Sequence, residues 1–341
     1  MDEQIRRVTV GEAYFVGGYV RDRLLGRPVL DIDVACPHPR DAAQALRREV
    51  GGGLFALSER HCAWRVMGDG RSVDFALLRG GIRSDLLLRD FTANAIALPL
   101  QGGSAIDPTG GIPDVEQGLL RAVREQVFKD DPLRLLRAAR LEEELPLVLE
   151  PGTERLIRQH ADLVTQAAGE RILAELMRLS ASGMRRLDEL QLLAPLGGSL
   201  ERLERGGTDL SGSLLLVSVF GPALRRLPIS NELARFAGVL LTASPPADGT
   251  TRSIYRFRRT TEPYALEALA YLGEDRFVDA VRAARAAEPS QPLLRGDELS
   301  VPPGPEVGRL LERIAEEWAA GTISSREEAL ALVRKERRGR S

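Results

Sequence analysis

The sequence predicts an α+β protein, a strand-bearing head followed by helices alone. Three observations predict it. Short apolar runs with period-two alternation, separated by Gly-rich turns, recur through the first 118 residues. From Leu119 the character changes to helix. The 341 residues suffice for two or three separate cores, placing a head at 1–118, a helical neck at 119–197 and a helical body and tail at 198–341.

The head is organised around Tyr14 to Ala35, YFVGGYVRDRLLGRPVLDIDVA. Ala13 to Val16 is an apolar strand ending at Gly17-Gly18, where residues without Cβ let the backbone turn sharply and approach a ligand. Val20, Leu24 and Leu25 then fall at helical spacing, and Gly26 with Pro28 stops that helix. Val29 to Ala35 returns to a period of two, so Leu30, Ile32 and Val34 face one way and Asp31 and Asp33 the other. Adjacent carboxylates repel unless a cation sits between them, and hard divalent ions prefer oxygen ligands. The pair therefore reads as a Mg²⁺-phosphate site.

Composition removes several function classes. The formal charge of −2 gives no general support to a nucleic-acid partner, so any such surface has to come from clustered positive charge. Cys36 and Cys62 are too few for a disulfide scaffold or a zinc site, and a reducing cytoplasm is expected. The start MDEQIRRV lacks a signal-peptide core, no apolar run reaches membrane-spanning length, and none of His38, His61 and His160 lies in a catalytic or metal-binding motif.

Gly17-Gly18, Val20-Arg21-Asp22 and Leu30-Asp31-Ile32-Asp33, taken together, resemble the head of the class II tRNA nucleotidyltransferase and bacterial poly(A) polymerase family. The resemblance implies a polymerase-β-like nucleotidyltransferase head with a mixed sheet. In it Gly17, Gly18, Arg21 and Asp22 support the triphosphate and turn.

Asp41 reads as the N-cap of the helix AAQALRREV, which Gly51-Gly52-Gly53 ends. Strands follow at Leu54–Leu57, Cys62–Met67 and Arg71–Leu78, and in the last Asp74 alternates with Val73 and Phe75. Read alone, Asp74 is an edge-strand surface residue. Nucleotidyl transfer, however, uses metal ions held by about three carboxylates, one of which can take the proton of the attacking hydroxyl. The resemblance makes Asp74 the third, so Asp31, Asp33 and Asp74 form the catalytic, metal-holding set with Mg²⁺.

Further motifs occur in family order. Arg89 to Leu98, RDFTANAIAL, resembles the family's RRDFT-x-NA motif, with Leu88 in place of its first Arg. It implies contacts of Arg89, Asp90 and Asn94 with the nucleotide, Asp90 accepting from a sugar hydroxyl; the alternative is an amphipathic helix burying Phe91, Ala95 and Ile96. The short LLRGGIRSD segment before it resembles members that add only two cytidines. Ile106 to Asp114 matches a D-x-x-GG-x-x-D turn through Asp107, Gly110, Gly111 and Asp114, read as structural or as a hinge between head and neck. In FKDDPLRLLRAAR, Asp131 and Arg134 are three apart, hence on one helical face. They resemble the family's E-D-x-x-R motif, with Asp130 in place of its Glu; Asp131, Arg134 and Arg137 then take the nucleotide, whose C or A edge an Asp-Arg pair matches. Alone, the pair is an ordinary intrahelical ion pair. Glu170, Arg171 and Glu175 match E-R-x-x-x-E and read as a brace between neck helices.

The resemblance covers residues 12 to 180. Beyond it, Leu210–Leu227 and Glu232–Leu241 read as helices, Thr242–Thr251 as a loop and Pro289–Pro305 as a linker before a helical segment Glu306–Arg337. The basic, aromatic RSIYRFRR suits phosphate contact and stacking, or else a solvated helix face with Tyr255 and Phe257 in the core. The implied function is addition of C and A, CCA or CC alone, to the tRNA 3′ end from CTP and ATP, with release of pyrophosphate and no nucleic-acid template. An enzyme adding CC alone implies a separate A-adding partner. A poly(A) polymerase and an inactive RNA-binding protein are the competing readings.

Overall fold

The computed structural model describes residues 1–29, 31–58, 62–68, 70–205, 210–288 and 291–338. The expectations for Leu30, His61, Pro289 and the last three residues lie outside them. The chain forms two compact units, Met1–Leu196 and Gly197–Ser341. Among the described residues no single helix is long and apolar enough to cross a membrane.

The first unit opens with α1 (Asp2–Val8), β1 (Tyr14–Val16), α2 (Gly18–Leu24), β2 (Asp31–Cys36), α3 (Pro39–Val50), β3 (Gly53–Ser58), β4 (Ala63–Gly68) and β5 (Arg71–Leu77). With β6 (Ala97–Pro99) the strands form a mixed six-stranded sheet in the order β3-β4-β5-β2-β1-β6. Within this sheet only β2 and β5 run parallel, and their register sets Asp31 against Ser72 and Asp33 against Asp74. α3 begins at Pro39 with His38 as its N-cap, three residues before the expected Asp41, because proline's fixed φ suits the first turn.

Alternation along the strands sends Ile32, Val34, Val66, Val73 and Phe75 to one face, where they pack with Ile5, Phe15 and Leu46. On the other face Tyr14, Val16 and Ala35 pack against Ile82 and Leu86 of α4 (Ile82–Leu87). The carboxylates of β2 and β5 share this second face. The segment expected as a short loop after β5 is therefore a Gly80-Gly81 turn and a helix whose apolar side is buried.

RDFTANAIAL is not a helix. Its backbone groups are taken elsewhere: Thr92 N–H donates to the Arg121 carbonyl, and Ala97 onward pairs with β1, leaving one 3₁₀ turn at Thr92–Asn94. Asp107 accepts from the Gly111 and Ile112 N–H groups at 2.8 Å, capping α5 (Gly111–Glu116). A Cβ on Gly111 would collide with the Thr92 carbonyl, so only glycine brings these segments this close.

The neck is not helix throughout. β7 (Leu119–Leu120) pairs in parallel with β8 (Val148–Leu149), around α6 (Val127–Asp130) and α7 (Leu133–Glu144). There follow α8 (Pro151–Gln159), α9 (Gly169–Leu176) and α10 (Ala181–Glu189).

The second unit is helical in its described residues: α11 (Glu201–Arg205), α12 (Gly212–Phe220), α13 (Asn231–Thr242), α14 (Thr251–Thr261), α15 (Ala265–Leu272), α16 (Val278–Ala286), α17 (Pro305–Ala319) and α18 (Arg326–Arg338). The expected single segment from Glu306 is two helices, because Gly321 adopts a positive φ of 71° between them. The basic cluster lies on α14, and its arginines are all paired: Arg252 with Glu317, Arg256 with Glu316, Arg258 with Glu262 and Glu288, Arg259 with Glu312. Phe257 is buried. This arrangement favours the core-facing reading of that stretch over the phosphate-binding one.

Candidate active site

The Gly17-Gly18 turn lies against β2. Gly17 has φ +66°, and a Cβ there would stand 2.9 Å from Asp33 Oδ2 and 3.0 Å from Arg89 Nη1, so the site is closed to any larger residue. Gly18 N–H donates to Asp33 Oδ2 at 3.2 Å. Burial, with Asp74 and Asp31 adding their charge, pushes Asp33 up to about 6 against the lowering influence of Arg89 and the Gly18 bond. An ionised Asp33 therefore carries charge that the protein does not fully balance.

Asp74 is directly across from Asp33, but its oxygens face the other way along the sheet. Arg65 Nε and Nη2 on β4 donate to Oδ1 and Oδ2, both at 2.7 Å. Asp31 Oδ1 accepts from the Ser72 hydroxyl at 2.5 Å. Among the described residues no three His, Cys, Asp or Glu side chains gather closely enough to hold a metal ion as they stand. The donor set nevertheless fits a hard divalent cation: three carboxylates share one sheet face, and the middle one is left with unbalanced charge.

A chain of polar contacts runs from the glycine turn into the neck. Arg21 donates to Asp22 Oδ1 at 2.9 Å and to Asn94 Oδ1 at 2.7 Å, and Asn94 Nδ2 donates to Asp90 Oδ1 at 3.0 Å. Asp90 Oδ1 also accepts from Phe91 N–H, while Oδ2 takes Nε and Nη2 of Arg137 at 3.0 and 2.8 Å. Burial alone would raise Asp90, but Arg137, Asn94 and Phe91 N–H together bring it to about 2. Asp90 raises Arg137 in return. With both oxygens engaged inside the protein, Asp90 orients Asn94 and Arg137 rather than standing free for a sugar hydroxyl. Arg89 spans Asp85 at 3.1 Å and the Asn94 carbonyl at 3.5 Å.

Asp131 and Arg134 do not share a helical face. Pro132 between them cannot continue α6 and turns Asp131 to an extended backbone, and α7 starts afresh at Leu133. Arg134 Nη2 donates to the Leu88 carbonyl at 2.8 Å, and burial lowers its pKa. Asp131 takes Arg171 Nη1 and Nη2 at 3.2 and 2.9 Å, and Glu175 Oε2 takes Arg140 Nε at 2.5 Å. Arg171 and Glu175 on α9 thus brace α6 and α7, as expected. Sequence reasoning missed Arg65; its place among Ala63, Trp64, Val66 and Met67 was the available signal, a charge on the alternation of a strand.

Known proteins share this fold and sequence. The poly(A) polymerase head domain matches residues 13–83 and 80–121, and the probable RNA- and SrmB-binding site of polymerase A matches 147–200. The A-adding tRNA nucleotidyltransferase of Deinococcus radiodurans is 31% identical across 95% of this chain and 95% of its own. The chain belongs to the tRNA nucleotidyltransferase family. A CC-adding family member from Geobacter sulfurreducens is 44% identical, over 49% of this chain and 40% of that one. The family fold is shared with the Bacillus stearothermophilus CCA-adding enzyme in complex with CTP, at a TM-score of 0.73, 25% identity and coverage of 99% of this chain and 96% of that one.

Proposed function

We propose that this chain adds cytidine to the 3′ end of tRNA from CTP, releasing pyrophosphate and choosing the base with protein groups rather than a nucleic-acid template. The observation that carries this is the parallel register of Asp33 with Asp74 beside the Gly17-Gly18 turn. Asp31, Asp33 and Asp74 would hold Mg²⁺, which when bound neutralises charge building on the phosphates. Gly17 and Gly18 let the triphosphate approach the backbone, and Arg21, bonded to Asp22 and Asn94, ties α2 to the Thr92–Asn94 turn. One of the three carboxylates accepts the proton of the attacking 3′-hydroxyl. Arg89 supplies a guanidinium beside Asp33, and Arg137 is held by Asp90 within electrostatic reach of Asp131.

Asp131 accepts from the exocyclic amine of cytosine, sharing its oxygens with Arg171, and Arg134 donates to a ring acceptor. The short, helix-closed segment between Asp74 and Arg89 favours addition of CC alone, with a separate A-adding partner completing the end. The test is incorporation of labelled CTP and ATP, with Mg²⁺, into tRNAs ending before CCA, after C and after CC. Two cytidines and no adenosine support the reading. A complete CCA end overturns the CC-only part, ATP-only tails favour poly(A) polymerase, and no incorporation leaves an RNA-binding protein.

A further inference from the structure

Arg65 is set by the sheet itself. It lies opposite Asp74 in the antiparallel register of β4 with β5, and Asp74 lies opposite Asp33 in the parallel register of β5 with β2. Four charged side chains therefore line one face in order: Arg65, Asp74, Asp33 and, two residues along, Asp31. The fork of Arg65 meets both Asp74 oxygens at 2.7 Å, the geometry in which a guanidinium matches a carboxylate best. Asp74 raises the pKa of Arg65, with Asp31 and Asp33 adding to the effect at longer range. No other described side chain is hydrogen-bonded to Asp74.

Without Arg65, Asp74 would stand uncompensated beside an already burdened Asp33. With Arg65 in place, both Asp74 oxygens are turned toward β4, and among the described residues no three of these side chains converge. The pair is partly open to solvent, 38% and 22% exposed at the two side chains, so its release costs little.

We propose that Arg65 is a positioning residue, a tethered counter-cation that holds Asp74 and competes with the divalent ion for its oxygens. This rests on reading Asp31, Asp33 and Asp74 as the ion's ligands. Asp74 joins the ion by turning lone pairs from the fork toward it or by sharing an oxygen with the guanidinium, so Arg65 weakens binding of the ion and sets the concentration at which the third carboxylate is recruited. Freed from Asp74, the guanidinium remains on the same face as a fixed positive charge.

The test is binding of Mn²⁺ to the full chain, read as free Mn²⁺ by electron paramagnetic resonance without nucleotide or RNA. In Arg65→Gln the Kd for Mn²⁺ is expected to fall roughly two- to fivefold, the scale of one partly exposed ion pair. The gain should vanish when Asp74→Asn is added, and Arg65→Lys, which keeps charge and loses the fork, should show a smaller gain of the same sign. Unchanged or weaker Mn²⁺ binding in Arg65→Gln with a native circular-dichroism spectrum overturns the proposal, as does a gain that survives Asp74→Asn. Asp33→Ala separates the two levels. If it leaves Mn²⁺ binding intact, the metal reading fails; if it abolishes binding while Arg65→Gln changes nothing, only the role of Arg65 fails.

Discussion

Asp90→Asn tests the link between head and neck. The amide keeps the shape and can still accept from Phe91 N–H and Asn94, but it sets an uncharged group against Arg137. Asp90 falls from the ordinary 3.8 to about 2, close to two pH units, and each unit is worth about 1.4 kcal/mol. The ionised carboxylate therefore contributes about 2 kcal/mol to folding. Its sign follows from the direction of the shift. A carboxyl held below its unfolded value stabilises fully above pH 4 and loses that contribution as pH falls toward 2, with about half gone at pH 3. The assay is urea unfolding followed by Trp64 fluorescence in a Trp318→Phe background, so that the first unit is read alone. The variant should be about 2 kcal/mol less stable at pH 7, with the gap roughly halved at pH 3. A gap equal at both pH values, or none at pH 7, would refute the assignment of Arg137 as the charge that holds Asp90.

Asp33→Asn should do the opposite. Because burial raises Asp33 to about 6, its charge is a burden above that pH, so in chelator the variant should gain about 2–3 kcal/mol at pH 8 and lose the advantage toward pH 4, as unfolding curves will show, while nucleotide incorporation is abolished. Arg171→Ala removes an exposed partner of Asp131 and should change stability by less than about 1 kcal/mol. Its effect should instead appear in the ratio of CTP to UTP incorporation, which competition assays measure; an unchanged ratio would separate Arg171 from base choice.

Much of the head was legible in the sequence because its strands alternate cleanly between Gly-rich turns. Asp31 and Asp33 could be placed on one face from the period alone, without any partner strand. What could not be read depended on register or on distant chain. Arg65 and Asp74 are nine residues apart on neighbouring strands, and Arg171 is 40 residues from Asp131. Two-residue strands such as β7 and β8 carry no periodicity to detect. The spacing of Asp131 and Arg134 misled because Pro132 resets the helix between them. On α14, the sequence displayed the arginines but not Glu312, Glu316 and Glu317, which reach them from α17.

The parallel pairing of β2 with β5 makes activity an all-or-none report on assembly. Slipping β5 by a single residue against β2 would bring Val73 or Phe75 to the position opposite Asp33 and carry Asp74 to the apolar side. A misregistered chain is therefore silent rather than slow. In any mixed population, whether refolded or heat-stressed, total turnover should count correctly threaded molecules, with the rate per competent molecule constant.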